Sequence, residues 1–269
     1  MIDDQDIVPP LKWAGGKRWF AIKHRDLLPA TYNKYIEPFV GSAALFFTLK
    51  PQSAVLADVN PELINLYSII RSSPTILKNK LAHHHRLHSK EYFYKMRDSS
   101  PRSEVGRAAR FLYLNRTCWN GLYRVNMKGK FNVPIGTKTS VLLNTDDFEG
   151  VAEVLSTATL LCSDFESVID LAGFNDFVFV DPPYTVAHNL NGFVKYNEVL
   201  FSWADQERLR EAVIRAKNRG AKILITNAAH ASVRELYAEF EQIPVSRAGV
   251  IAGKSTARGK FDELVIRCY

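Results

Sequence analysis

An eight-residue stretch, Phe177-Val178-Phe179-Val180-Asp181-Pro182-Pro183-Tyr184, constrains this chain more than any other. Four apolar residues in a row, β-branched and aromatic, read as a strand buried on both faces, the kind found in parallel sheets. Two consecutive prolines then stop the sheet, because neither has an N–H to give to a ladder and each restricts its own φ. The strand must end in a stiff turn that presents Asp181 and Tyr184 at its carboxyl end. In open α/β sheets that edge is where ligands bind.

Other short apolar runs read as buried parallel strands: Tyr35-Ile36, Ala54-Val55-Leu56-Ala57, Thr159-Leu160-Leu161-Cys162, Lys222-Ile223-Leu224-Ile225 and Leu264-Val265-Ile266. Helical patterns separate many of them. Asn60-Pro61-Glu62 supplies an N-cap, a proline for the first helical position and an acid for the first turn. From Asp205 to Asn218 the apolar Leu209, Ala212, Val213 and Ala216 share one face, and Gly220 is a natural stop. Strands alternating with helices predict an open, doubly wound α/β sheet. With 269 residues, 46% of them hydrophobic, the chain can bury one sizeable core and carry one further lobe.

That lobe is visible in the charge. Between Arg71 and Ser140 stand fifteen Lys and Arg against three acids, a net +12, which leaves −5 for the rest of a chain whose total is +7. The same stretch has a helical run from Glu104 to Leu114. Asn120-Gly121 and Lys128-Gly129-Lys130 then break the chain around Leu122-Tyr123-Arg124-Val125-Asn126, a hairpin signature. We read residues 63–150 as an inserted, mainly helical lobe with a hairpin, set into a sheet built from 1–62 and 151–269. A basic lobe in a slightly acidic frame suits a polyanionic partner, the plain alternative being a solvated basic surface. No run approaches the roughly 20 apolar residues of a membrane span. The acidic start, Met1 to Asp6, is unlike a signal peptide. Cys118, Cys162 and Cys268 are too few and too scattered for a disulfide framework or a zinc knuckle, so a reducing cytoplasm is expected.

The residue types suggest chemistry. An exocyclic amine on a heteroaromatic ring is a poor nucleophile, because its lone pair is delocalised into the ring. The Asp181 carboxylate and the Pro182 carbonyl could accept its two N–H hydrogens, Pro183 would fix the carbonyl's direction and Tyr184 would stack on the ring. Alone, the motif says amine methylation of a planar group, or else only a strand-ending turn with an aromatic packed on proline. Upstream, Glu37-Pro38-Phe39-Val40-Gly41-Ser42-Ala43-Ala44 has the strand, small-residue, helix form that brings backbone N–H groups close to a ligand. Asp58 ends the next strand, well placed for ribose hydroxyls. The three-glycine dinucleotide pattern is missing, and Arg18 stands where a phosphate loop built on Gly15-Gly16-Lys17 would need Ser or Thr.

Taken in order, Leu11-Lys12-Trp13-Ala14-Gly15-Gly16-Lys17, Glu37-Pro38-Phe39-Val40-Gly41, Ala57-Asp58-Val59-Asn60, Tyr113-Leu114-Asn115-Arg116, Asn120-Gly121-Leu122, Phe131-Asn132-Val133-Pro134 and Asp181-Pro182-Pro183-Tyr184 resemble the Dam-type (class alpha) DNA adenine-N6 methyltransferases along nearly the whole chain. The resemblance implies a Rossmann-like methyltransferase sheet, S-adenosylmethionine as methyl donor, and double-stranded DNA as substrate. It implies that Trp13, Lys17, Phe39, Gly41, Asp58, Asp164, Phe165 and Asp181 serve the donor. It also implies that Asp181, Pro182, Pro183 and Tyr184 serve catalysis. For DNA it implies Lys12, Trp119, Asn120, Leu122, Arg124 and Pro134, with Trp119 holding open the gap left by a flipped adenine and Arg124 reading guanine within GATC. The family's loop usually has a second glycine where this chain has Ala43, which puts close backbone approach to the donor in question. A bacterial or phage cytoplasm with nucleoid association, no membrane partner and a monomeric state complete the expectation.

Other readings stay open on the residues alone: a catalytically silent DNA-binding module on the same fold, a cytosine-N4 or RNA adenine methyltransferase, or a small-molecule nucleotide enzyme. Ser more often replaces Asp181 in the cytosine-N4 enzymes, and the +12 insert weighs against a small-molecule substrate. His83-His84-His85 and His88 have partial metal-ligand spacing but no acid or cysteine among them, so a solvated or phosphate-facing helix is expected and no metal. Ile225-Thr226-Asn227 is expected to border the base pocket. Arg258 and Glu263 lie in a segment resembling the family's last motifs.

Overall fold

The computed structural model describes residues 7–126, 129–185, 201–248 and 260–269; Met1 to Asp6, Lys128 and Arg258 lie outside them. Seven strands form one mostly parallel sheet: β1 Tyr35–Glu37, β2 Ala54–Asp58, β3 Ala158–Cys162, β4 Phe177–Val180, β5 Lys222–Ala228, β6 Glu241–Ala248 and β7 Lys260–Arg267, in the order β3-β2-β1-β4-β5-β7-β6. The strand order runs outward from β1 to β3, then restarts at β4 and runs the other way. That reversal, at β1 and β4, is the switch point of a doubly wound Rossmann-like sheet. Every residue of β4 is buried, as its unbroken apolar run requires. One expectation fails: Leu264-Val265-Ile266 is not a parallel strand. It lies in β7, which runs antiparallel to both β5 and β6. An apolar run reports burial and says nothing of direction.

The chain divides into two compact units, residues 1–27 with 40–162 and residues 28–39 with 163–269. In the first, β2 and β3 pair in parallel from Ala54 with Ala158 to Asp58 with Cys162. Its helices are α1 Arg18–Lys23, α2 Ala44–Leu49, α3 Pro61–Ser72, α4 Pro74–Leu87, α5 Lys90–Asp98, α6 Glu104–Thr117 and α7 Phe148–Leu155. The predicted Asn60 cap is present, its Oδ1 accepting from the N–H groups of Glu62 and Leu63. Arg116 ties the basic stretch together: its guanidinium, buried, donates to both Asp146 carboxylate oxygens at 2.6 Å and to the carbonyls of Pro10 and Val141. Charge, fork geometry and hydrogen bonds are all matched there, which is what a buried ion pair needs to be tolerated. The hairpin closes with a bridge between Val125 and Phe131 and a bond from Asn126 N–H to Lys130 O.

The expected solvated histidine face holds for His83 and His85, which are exposed, but not for His84 on α4 or for His88, which caps it. His84 is buried, its ring stacked on Tyr113 with centroids 5.0 Å apart and its Nδ1 2.7 Å from the Tyr92 hydroxyl. His88 Nδ1 lies 2.9 Å from the Tyr113 hydroxyl. Helical spacing places both rings over α5 and α6, where tyrosine hydroxyls satisfy them.

In the second unit β1, β4 and β5 are parallel, with Ile36 beside Val178 and Val180 beside Ile225. Its helices are α8 Phe165–Ile169, α9 Trp203–Asn218 and α10 Ala231–Leu236. Helix α9 begins two residues before the predicted Asp205, at a capping box in which Ser202 and Asp205 satisfy each other's backbone. Among the described residues no helix is long and apolar enough to cross a membrane.

Candidate functional site

In the second unit, the switch point brings Glu37, which ends β1, with Pro38 and Phe39 after it, and Asp181 to Tyr184, which follow β4, to one edge of the sheet. Asp181 Oδ1 accepts a hydrogen bond from the Thr226 hydroxyl at 2.7 Å, and the Tyr184 hydroxyl donates to Glu263 Oε2 at 2.8 Å. Desolvation, with the Asp181 and Glu263 carboxylates adding to it, pushes the Tyr184 phenol well above the usual tyrosine range. It is a neutral hydrogen-bond donor at any ordinary pH. A second buried pair lies on β1, where the Tyr35 hydroxyl donates to Glu37 Oε2 at 2.9 Å; burial and then Glu37 raise that phenol as well. Pro182 is buried between these groups in sequence, so the turn is held from side chains on both flanks.

Beside this edge Phe39, Phe165 and Phe201 form an aromatic cluster, with Phe39 stacked on Phe165 at 5.4 Å and Phe201 meeting both. The Arg208 guanidinium sits 4.4 Å over the Phe165 ring and donates to both carboxylate oxygens of Asp164. Asp164 caps α8, accepting from the Glu166 N–H.

The first unit holds the small-residue loop. Gly41 has φ +44°, and a Cβ there would lie 2.7 Å from Trp13 Cδ1, so only glycine lets the indole close over the backbone. The loop is pinned on three sides. Asp58 Oδ2 accepts the Gly41 N–H at 3.3 Å, the Tyr67 hydroxyl donates to Gly41 O at 2.8 Å, and Val40 N–H donates to Ala57 O at 2.8 Å. Asp58 Oδ1 also accepts the Asn60 N–H, yet burial outweighs these bonds and raises its carboxyl to about 6. Ala43, fully buried, adopts φ +52°, the left-handed conformation for which a glycine is the easy residue. The alanine noted in the sequence thus sits in a left-handed backbone conformation that costs an L-residue some strain. Lys17 is buried at 4% exposure, its Nζ donating to Gly15 O at 2.8 Å.

Trp13 also stacks on Tyr123, centroids 5.9 Å apart and planes 15° from parallel. Tyr123 in turn packs on Phe111 and Phe131. Thus one indole touches both the Gly41 loop and the hairpin. Asn115, fully buried on α6, fastens the other predicted residues. Its Oδ1 accepts the Lys12 N–H, and its Nδ2 donates to the carbonyls of Lys12 and Gly121. Gly121 ends the turn Trp119–Gly121, in which Asn120 is left-handed at φ +56°. Trp119 projects with half its surface exposed and is no core residue; its N–H is held by Pro134 O at 2.9 Å. Leu122 is half-buried, Pro134 and Arg124 are exposed, and Arg124 Nε donates to Asn132 Oδ1 at 3.0 Å. Burial, then the neighbouring Lys138, lowers Lys12 to about 8.

Sequence reasoning missed Tyr67, Tyr123, Glu37 and Arg208 as parts of these arrangements. Asn115 sat inside a quoted motif without a role. Nothing in the local pattern marks Tyr67 or Tyr123, which look like ordinary core aromatics, and Arg208 looks like one more exposed charge on a helix.

The family model described as D12 class N6 adenine-specific DNA methyltransferase matches residues 13–249. The type II methyltransferase M1.LlaDCHI of Lactococcus lactis subsp. cremoris is 37% identical over 270 residues, covering 97% of this chain and 95% of that protein. The DNA adenine methylase of Vibrio cholerae serotype O1 is 32% identical over 260 residues, covering 95% of this chain and 94% of its own. The DNA N-6-adenine-methyltransferase of Escherichia phage P1 is 35% identical over 92% of this chain, which corresponds to 34% of that longer protein.

Proposed function

The chain belongs to the D12 class of N6 adenine-specific DNA methyltransferases, and we propose that it methylates a flipped adenine within GATC with S-adenosylmethionine as donor. In this reading residues 1–62 and 151–269 carry the donor and the chemistry, and residues 63–150, all of which belong to the first compact unit, recognise the target. The observation that carries it is the held tetrapeptide: Asp181 and Tyr184, on either side of two prolines, each hydrogen-bonded at the carboxyl edge of the switch point.

The Gly41 loop suits a nucleoside. Asp58 is a desolvated carboxylate already oriented by two backbone N–H groups, an acceptor for ribose hydroxyls, and the missing Cβ at Gly41 lets Trp13 shut against the loop. The family resemblance assigns Lys17 and Trp13 of the first unit to the donor's methionine and Phe39 and Phe165 of the second to its adenine, with Asp164, which Arg208 already holds, as acceptor for the adenine amine. Bound there, S-adenosylmethionine supplies an electrophilic methyl on a sulfonium. Asp181 and the Pro182 carbonyl accept hydrogen bonds from the two N6–H groups of the target adenine and draw its lone pair out of conjugation. As N6 takes the methyl, the donor leaves as a neutral thioether, and N6 gives up one proton. Tyr184 stacks on the base, returning about 1–3 kcal/mol of the cost of unstacking it. Orientation and electrostatics do the work, with no covalent enzyme intermediate.

On the DNA side, Trp119 is the exposed aromatic that fills the vacated space. Asn120 and Leu122 frame it, Lys12 and Pro134 lie on the bonded network behind it, and Arg124 reads guanine. The test is transfer of labelled methyl to duplexes with and without GATC. Label on adenine only in GATC duplexes, lost in Asp181→Ala, supports the reaction, the donor, the target site and the need for Asp181. Label on cytosine or RNA would overturn the substrate, and label spread over other sites would overturn GATC.

A further inference from the structure

The two side chains that flank Pro182 and Pro183 are each gripped by a residue far along the chain, Asp181 by Thr226, 45 residues on, and Tyr184 by Glu263, 79 residues on. The grips are not independent. In the β5–β7 ladder Ala228 lies opposite Glu263, and Thr226 precedes Ala228 by two. Directly opposed residues and residues two apart on a strand share a face, so Thr226 and Glu263 are diagonal neighbours on one side of an antiparallel pair. Thr226 is fully buried and Glu263 nearly so. A single rigid ladder, with β7 running opposite to the parallel strands, thus holds both ends of the turn that positions the amine.

We infer that Glu263 is a positioning residue for methyl transfer: by accepting the Tyr184 hydroxyl at Oε2 it fixes the plane of the ring on which the target base stacks. The inference rests on the reading that Tyr184 meets the target adenine. It adds that the phenol's hydrogen is committed to Glu263, so Tyr184 offers the base its face and acts neither as a proton donor to it nor as a general acid. A side chain free to rotate about χ1 and χ2 would spend part of its time in orientations that do not align the amine, and misplacement of that kind lowers the rate at saturation more than it weakens binding.

The test uses the full chain, a duplex substrate and a double-mutant cycle. Glu263→Leu removes the acceptor at similar volume; Glu263→Gln leaves an oxygen that can still accept. Glu263→Leu should lower kcat by about tenfold with both KM values within about twofold, and Glu263→Gln should recover most of that loss. In a Tyr184→Phe background, which has no hydroxyl to hold, Glu263→Leu should lower kcat no further. A full additional loss in that background, or a loss confined to KM, would overturn the inference. Thermal unfolding of each variant checks folding. If Glu263→Leu does not fold, Glu263→Met, which also lacks an acceptor oxygen, takes its place in the two backgrounds: a severalfold drop in kcat with Tyr184 and none with Tyr184→Phe supports the inference, and equal effects overturn it. Asp181→Ala separates the two levels of argument. Methylation that survives it defeats the functional reading itself, whereas its loss beside an additive cycle defeats only the role of Glu263.

Discussion

At Ala43 a methyl group occupies a left-handed turn in a fully buried loop, φ +52°. Two replacements should behave unequally. Ala43→Gly relieves about 1–2 kcal/mol of left-handed strain but loses a buried methyl, about 0.8 kcal/mol, and gains unfolded-state freedom, about 0.4–1 kcal/mol. The terms nearly cancel, so urea unfolding should move by less than about 1 kcal/mol. Ala43→Val adds a β-branched side chain at a fully buried position where φ is positive, and should cost about 3 kcal/mol or more. A tolerated valine would mean that the turn is not left-handed in solution. Asp58 makes the second residue-level prediction. Its carboxyl is raised from 3.8 to about 6, so its protonated form favours the fold, a contribution present at low pH and lost as pH rises through about 6. The proposed role of Asp58 toward ribose hydroxyls would need the ionised form and has the opposite sign. Donor affinity by calorimetry should be level above pH 7 and fall by about tenfold per unit below about pH 6, with Asp58→Asn weak and nearly flat across that range. Equal pH profiles for the two proteins would remove Asp58 from the donor site.

Among the elements, the stack of Trp13 on Tyr123 joins the loop that closes on Gly41 to the hairpin that carries Arg124. Aromatic pairs contribute about 0.5–1.5 kcal/mol beyond their buried area. Tyr123→Ala should therefore weaken donor binding, followed by tryptophan fluorescence, by about three- to tenfold even without DNA. An unchanged affinity would show that Trp13 holds its place without the hairpin. Helices α4, α5 and α6 meet over His84, which burial, with His83 and Lys80 adding to it, lowers from 6.5 to about 4. The ring is neutral in the fold, so its contribution is present above pH 6.5 and is lost as pH falls towards 4, where only the unfolded chain has taken up the proton readily. The midpoint of thermal unfolding should drop between pH 7.5 and pH 5, and His84→Phe should make that drop smaller; an unchanged drop would assign it to other groups.

For the molecule as a whole, the +12 carried by residues 71–140 makes duplex affinity a matter of salt. If six or more phosphates are met, affinity should fall by about a thousandfold between 50 and 200 mM salt, with GATC and other duplexes following near-parallel slopes. A shallow slope would leave the basic surface solvated and without a nucleic-acid role. Much of this design was legible in the chain alone. The switch-point strand, the proline stop after Val180, the Asn60 cap and the basic character of residues 71–140 follow from local chemistry, which acts between residues close in sequence. The ordered motifs around them pointed to the family. Tertiary structure alone decided what depends on distant partners: that Leu264 to Ile266 runs antiparallel, that His84 is spoken for by Tyr92 and Tyr113, and that Trp119 stands in solvent. It alone showed that Asp181 and Tyr184 are gripped by Thr226 and Glu263. A strand's apolar run fixes its burial but not its direction. A polar side chain's role depends on what the fold brings within 3 Å of it, and at separations of 45 and 79 residues no local pattern carries that information.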